Sequence, residues 1–159
     1  LLEGITEPEG IKVLAAMVPP IGITFAYLFS KLMKKRIFTN QEVENVKVAF
    51  PMGLCMISEG VIPIAMNDLI RTVVSTSIGC GVCGAISFYF GNGSPLPSGG
   101  VFVMPAMSEP LVAVLALLIG SCVTAIILVL LKKPLTEEQA AGIQEEVEEE
   151  VDLSNITIG

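Results

Sequence analysis

Glu59 is the side chain in this sequence with the most to account for. It sits in GLCMISEGVIPIAM, residues 53–66, and carries the segment's one charge. A carboxylate is expensive in an apolar setting, so it must face a cavity, a partner or a substrate. Gly60 and Pro63 interrupt regular helix beside it. Broken helices with a polar residue at the break build the binding sites of many transporters. The plainer alternative is a carboxylate that caps a half-helix or pairs with Arg71.

Three more polar residues follow in MNDLIR. Asp68 and Arg71 are three apart, so on a helix they share a face and can pair. Asn67 or Asp68 could equally cap a helix beginning at Leu69, with Arg71 reaching toward water. At the edge of a pocket, Arg71 could attract a phosphorylated group. In PLPSGGVFVMP, residues 95–105, Gly99 and Gly100 allow backbone to approach a ligand and Ser98 offers a hydroxyl. The alternative there is an extracellular turn. Pro19-Pro20, in MVPPIG, should kink a helix and expose carbonyls.

The four cysteines, Cys55, Cys80, Cys83 and Cys122, all lie in apolar stretches. Cys80 and Cys83 have CxxC spacing, but a zinc site needs two further ligands and the chain has no histidine. They read as buried thiols, and neither a metal nor another cofactor is expected.

The elements that must position these residues are membrane helices. Of 159 residues, 52% are hydrophobic and 16% charged, and the mean hydropathy is +0.75. The net charge of −7 belongs to the end of the chain, where eight acidic residues and no basic one follow Lys133. Nucleic acid is not an expected partner, because the nine cations are scattered or sit at the ends of apolar runs.

A spanning helix needs about 20 apolar residues. Residues 11–30, 69–90 and 110–131 meet that length. Residues 38–50 are more polar and begin with a capping-box pattern, Thr39 followed by Glu42, so they are expected as a helix on the cytoplasmic surface. Residues 51–66 are apolar but too short to cross, which suits a re-entrant segment. Residues 91–100 hold four glycines and two prolines and cannot form regular helix.

Basic clusters at 31–36 and 132–133 belong inside by the positive-inside rule. Two crossings and one re-entrant piece between them are consistent with that. The acidic residues 1–10 then fall outside. The expected class is an all-α integral membrane protein of spanning helices plus re-entrant hairpin segments. Residues 1–133 form the membrane part and 134–159 an acidic cytoplasmic tail. In the crossing after Arg71, Ser75, Gly79 and Cys83 form one stripe of small residues and Ser77, Gly81 and Ala85 another, as in close helix packing. The start at Leu1 reads as internal to a longer protein.

The string MVPPIG, followed by FTNQEVENVKVAFPMGLCMISEGVIPIAMNDLIRTV and PLPSGGVFVMP, resembles enzyme IIC of the fructose-type phosphotransferase permeases. It covers residues 11–133 in the same order, corresponding to the C-terminal half of that subunit, and SEGVIP with the downstream DLIR is its specific core. Ser58 stands where the family usually has Thr, Leu69 where it has Pro, and Ser98 where it commonly has His. GITEP at residues 4–8 is similar to a substrate segment of glucose-type permeases, and its acidic setting before the first span reads as coincidence.

The resemblance implies a homodimeric, multi-pass sugar permease in a bacterial cytoplasmic membrane, in contact with lipid and working with IIA and IIB domains. The sugar would be fructose or a relative of it. The implied site comprises Ser58, Glu59, Gly60, Asn67, Asp68, Arg71, Ser98, Gly99 and Gly100. Glu59 is the implied catalytic residue, helping to deprotonate the sugar hydroxyl that attacks a phosphocysteine on IIB. None of the four cysteines precedes a loop of the IIB kind, so the phosphoryl donor must lie elsewhere. Two other classes fit the residues: an ion-coupled secondary transporter with Glu59 as its proton site, and a membrane scaffold.

Overall fold

The computed structural model describes residues 7–35 and 37–133, so the acidic tail from 134 lies outside the described residues. The described chain is all-α. Helix α1 (Glu7–Leu32) leads to α2 (Asn40–Leu54). A 3-10 turn (Glu59–Val61) runs into the short α3 (Ile62–Asn67) and then α4 (Leu69–Tyr89). Two 3-10 turns (Gly100–Phe102 and Met104–Ala106) precede α5 (Pro110–Leu131). Three stretches, Pro8–Leu32, Leu69–Tyr89 and Pro110–Leu131, are long and apolar enough to cross a membrane.

Helix α1 is the centre of the bundle, packed against α2, α4 and α5. Its Val13, Leu14, Met17 and Val18 meet Cys83, Ala113, Ala116 and Leu117 in one apolar cluster. One to two turns further on, Ile23 and Ala26 meet Phe38, Val46, Ile64, Ala125 and Leu128 in a second. The helix begins at Glu7 rather than near Ile11. Pro8 lies in its first turn, where a missing N–H is harmless, so Glu7 and Pro8 of the GITEP string belong to the helix.

Helices α4 and α5 approach closely along the stripe Thr72, Ser75, Gly79, Cys83 and Ser87, all buried. A Cβ on Gly79 would run into Thr124 and the Gly120 carbonyl. The companion stripe is open: Ser77, Gly81 and Ala85 are exposed, and nothing lies within 4 Å of a Cβ on Gly81. Among the described residues the first stripe is packed and the second is not.

The expected surface helix over 38–50 and the re-entrant run over 51–66 are divided differently. Helix α2 continues through Pro51 to Leu54. Pro51 removes the partner of the Lys47 carbonyl, and both residues lie on the exposed face. The Thr39 capping box forms as expected: the Glu42 N–H donates to Thr39 Oγ1 at 3.2 Å, and the Thr39 N–H donates to Glu42 Oε2 at 2.9 Å. The helix unwinds at residues 55–58, with Met56 left-handed at φ 66°. The Glu59–Asn67 stretch then folds back on α2, where a Cβ on Gly60 would press on Ala49 and Met52. The pair forms a helical hairpin.

Candidate functional site

Both ends of α2 can be located against α1. Phe38 stacks edge-on with Tyr27, ring centroids 6.2 Å apart, whereas Gly53 packs on Pro20. The hairpin therefore starts beside the lysine-bearing end of α1 and reaches inward to its double proline. A second irregular segment arrives from the opposite end of the bundle. Its neck is closed by the Ser108 N–H donating to the Gly93 carbonyl at 3.0 Å and the Glu109 N–H donating to Asn92 Oδ1 at 3.2 Å. Gly93 and Asn92 pack beside Gly10, near the start of α1.

From that neck the chain dips to Gly100, which lies against the backbone of Leu54, Cys55 and Met56. With φ +58° and no room for a Cβ, this position requires glycine. Residues 95–105 are thus more than a surface turn. Two broken segments, entering from opposite ends, touch beside the double proline.

Glu59 stands at the first turn after the hairpin tip. Its side chain is exposed, with no hydrogen-bond or ion-pair partner among the described residues. Ser58 beside it is also exposed and caps nothing with its hydroxyl. The capping and Arg71-pairing alternatives for Glu59 are therefore not realised. Gly60 is the contact point with α2, Gly99 and Gly100 form the tip of the second segment, and Ser98 is exposed on its approach.

Asn67, Asp68 and Arg71 lie at the lysine end instead. Arg71 Nη1 is 2.9 Å from Asp68 Oδ2, the pairing expected from their spacing. Asp68 occupies the cap position of α4 but makes no side-chain cap bond, because its carboxylate serves Arg71. Asn67 Nδ2 donates to Glu42 Oε1 at 3.4 Å. These residues line a cavity of about 220 Å³ with Glu42, Lys132 and Lys133. Three cations face two carboxylates there.

Two residues in this arrangement carried no functional signal in the sequence. Glu42 is 2% exposed, and its Oε1 accepts a charge-assisted bond from Lys132 Nζ at 2.8 Å. Lys132 is itself buried and lies 4.4 Å over the Phe38 ring. Glu42 had read as a cap and Lys132 as a helix-end cation. What joins them is a contact across 90 residues. Outside the spans, hydrogen bonding to Glu44 raises the pKa of exposed Lys47, so that lysine is a fixed surface charge.

The double proline also finds its complement. Pro19 cannot donate to the Ala15 carbonyl, and Cys80 Sγ approaches that carbonyl at 3.3 Å in the position of a donor. All four cysteines are free, and no metal-binding cluster occurs among the described residues.

Comparison with known proteins gives consistent relatives. The chain is 35% identical over 139 residues to the PTS system fructose-specific EIIC component of Haloferax volcanii, covering 87% of this chain and 36% of that protein. It is 38% identical over 125 residues to the PTS system fructose-specific EIIB'BC component of Haemophilus influenzae, covering 79% and 22%. It is 36% identical over 131 residues to the fructose permease IIC component of Bacillus amyloliquefaciens, covering 82% and 41%. The chain thus spans well under half the length of each of these relatives. No family model and no solved structure matches. With its three span-length helices, the chain is a membrane protein.

Proposed function

We propose, for a chain that is a relative of the fructose-type IIC components of the phosphotransferase system, that it forms part of the sugar path of such a permease. The observation that carries this reading is the carboxylate of Glu59. Without a partner among the described residues, it stands at an unwound hairpin tip that a second broken segment touches through Gly100. Backbone that leaves regular helix at membrane depth is tolerated where it lines a cavity or is buried in protein. A carboxylate there is suited to accept hydrogen bonds from sugar hydroxyls.

In this reading Ser58, Glu59 and Gly60, with Ser98, Gly99 and Gly100, contact the sugar, which is fructose or a close relative. The sugar enters from outside and is carried inward by alternating access, still bound at the site. A phosphocysteine on IIB then donates its phosphoryl group. The sugar hydroxyl oxygen bonds to phosphorus, the sulfur–phosphorus bond breaks, the thiolate leaves, and Glu59 takes the hydroxyl proton. The lysine end of the bundle is the cytoplasmic side. There, Asn67, Asp68 and Arg71 border the cavity, and the Arg71 guanidinium suits an approaching phosphoryl group. IIA and IIB are the protein partners. The functional unit is a homodimer in a cytoplasmic membrane, and the exposed apolar face of α4 is available to a second copy or to lipid.

The test is uptake of labelled fructose into vesicles carrying the full-length protein, with and without phosphoenolpyruvate and the soluble phosphotransferase components. Phosphorylated sugar appearing only with the donor supports the reading. Accumulation of unmodified sugar driven by a proton gradient overturns it in favour of a secondary transporter. No sugar movement under either condition leaves a scaffold.

A further inference from the structure

A groove between the last turns of α1 and α5 has the composition of a lipid site. Its cavity of about 330 Å³ is walled by Phe29 of α1, by Met33 just past its end, and by Ile126 and Leu130 from α5. These side chains are 38%, 55%, 50% and 78% exposed, so the described residues leave the walls uncovered. Its rim consists of Lys35, Lys132 and Lys133.

The rim lysines are not equivalent. Lys132 is buried and its charge is matched by Glu42. Neither Lys35 nor Lys133 has an ion-pair partner among the described residues. Lys35 is brought to the rim by the way α1 ends. Lys34 adopts the left-handed conformation at φ 54°. The Lys34 and Lys35 N–H groups then donate back to the Lys31 and Ser30 carbonyls, at 3.3 and 3.0 Å. This closure usually employs glycine. Here a lysine occupies the position and the next lysine is turned toward α5.

We propose that this groove holds one anionic phospholipid. Its phosphate lies between Lys35 and Lys133, and an acyl chain lies along Phe29, Met33, Ile126 and Leu130. Charge complementarity selects the headgroup, since basic pockets between spanning helices at the interface favour anionic lipids. The apolar walls continue directly from the lysines along the two helices, which a soluble anion would leave unused. This inference does not depend on which sugar is carried, or on whether one is.

The test uses the protein at its full natural length, purified in mild detergent with phosphatidylglycerol or phosphatidylcholine and examined by native mass spectrometry. The wild type should retain one phosphatidylglycerol, roughly twenty-five-fold in preference to phosphatidylcholine. Each interfacial lysine contributes about fivefold. The Lys35→Gln, Lys133→Gln double variant should therefore lose phosphatidylglycerol roughly twenty-five-fold, with phosphatidylcholine unchanged. The Lys35→Arg, Lys133→Arg variant should retain it, as should Lys47→Gln, which removes a charge elsewhere. Equal retention of both lipids by the wild type overturns the proposal, as does undiminished retention in the Gln variant. Absence of any retained lipid, or displacement of phosphatidylglycerol by millimolar inorganic phosphate, also overturns it.

Discussion

Lys132 Nζ lies 2.8 Å from Glu42 Oε1, joining the first turn of α2 to the residue just past α5. Both side chains are less than 10% exposed. The other carboxylate oxygen, Oε2, accepts from the Thr39 N–H, so one carboxylate caps a helix and neutralises a buried cation at once. Removing one member of a buried pair strands the other charge, at a cost of about 3–5 kcal/mol.

That relationship gives the first prediction. Lys132→Met should destabilise the protein by about 3–5 kcal/mol, read as thermal unfolding in detergent. Adding Glu42→Gln should recover most of the loss, because glutamine still serves in a capping box and carries no charge. Additive effects of the two substitutions would show that the pair is not coupled.

Glu59→Gln tests the proposed sugar site. The side chain is exposed and unpartnered among the described residues, so membrane abundance should not change. Hydrogen bonds to a charged group contribute about 1.5–3 kcal/mol each. Loss of one should weaken sugar binding roughly tenfold or more. Near-normal binding and phosphoenolpyruvate-driven uptake at matched abundance would remove Glu59 from the site.

Two glycines in α4 should respond oppositely. Gly79→Ala pushes a methyl group into Thr124 and Gly120 and should cost about 1–3 kcal/mol. Gly81→Ala meets nothing among the described residues and should stabilise the helix by up to about 1 kcal/mol. A loss of stability at Gly81 in the full-length protein would mean that the open stripe is covered by something beyond the described residues.

Cys80→Val should leave the Ala15 carbonyl without its sulfur partner and cost about 1–3 kcal/mol. Pro19→Ala restores a backbone donor for that carbonyl. In the Pro19→Ala background Cys80→Val should therefore be nearly neutral. An equal cost in both backgrounds would assign the effect of Cys80 to packing alone.

The ends of the bundle can be assigned by reporters. The contact between Lys132 and Phe38 puts the ends of α1 and α5 on one side, and the neck at Asn92 and Ser108 lies on the other. A reporter fused after Lys133 should read cytoplasmic, and a cysteine label at exposed Leu96 should react from outside. Both signals on the same side would exclude the three-crossing topology.

Much of this architecture is legible residue by residue. Three apolar runs of spanning length, the Thr39–Glu42 capping box and the Asp68–Arg71 pair follow from composition and from spacings of three or four residues. The breaks around Gly60 and Gly99-Gly100 follow from glycine and proline content, and those signals need no tertiary partner. Only the fold decided that α2 passes Pro51 and unwinds at residue 55, because the termination depends on packing against α1 and on Gly100. It separated Asn67, Asp68 and Arg71 from Glu59 by returning the hairpin to the lysine end. It also turned Lys132 from an interfacial charge into the partner of Glu42, and Cys80 into the partner of a carbonyl freed by Pro19. Burial and pairing between residues 65 or 90 positions apart depend on which helices pack together, and local spacing carries no record of that choice.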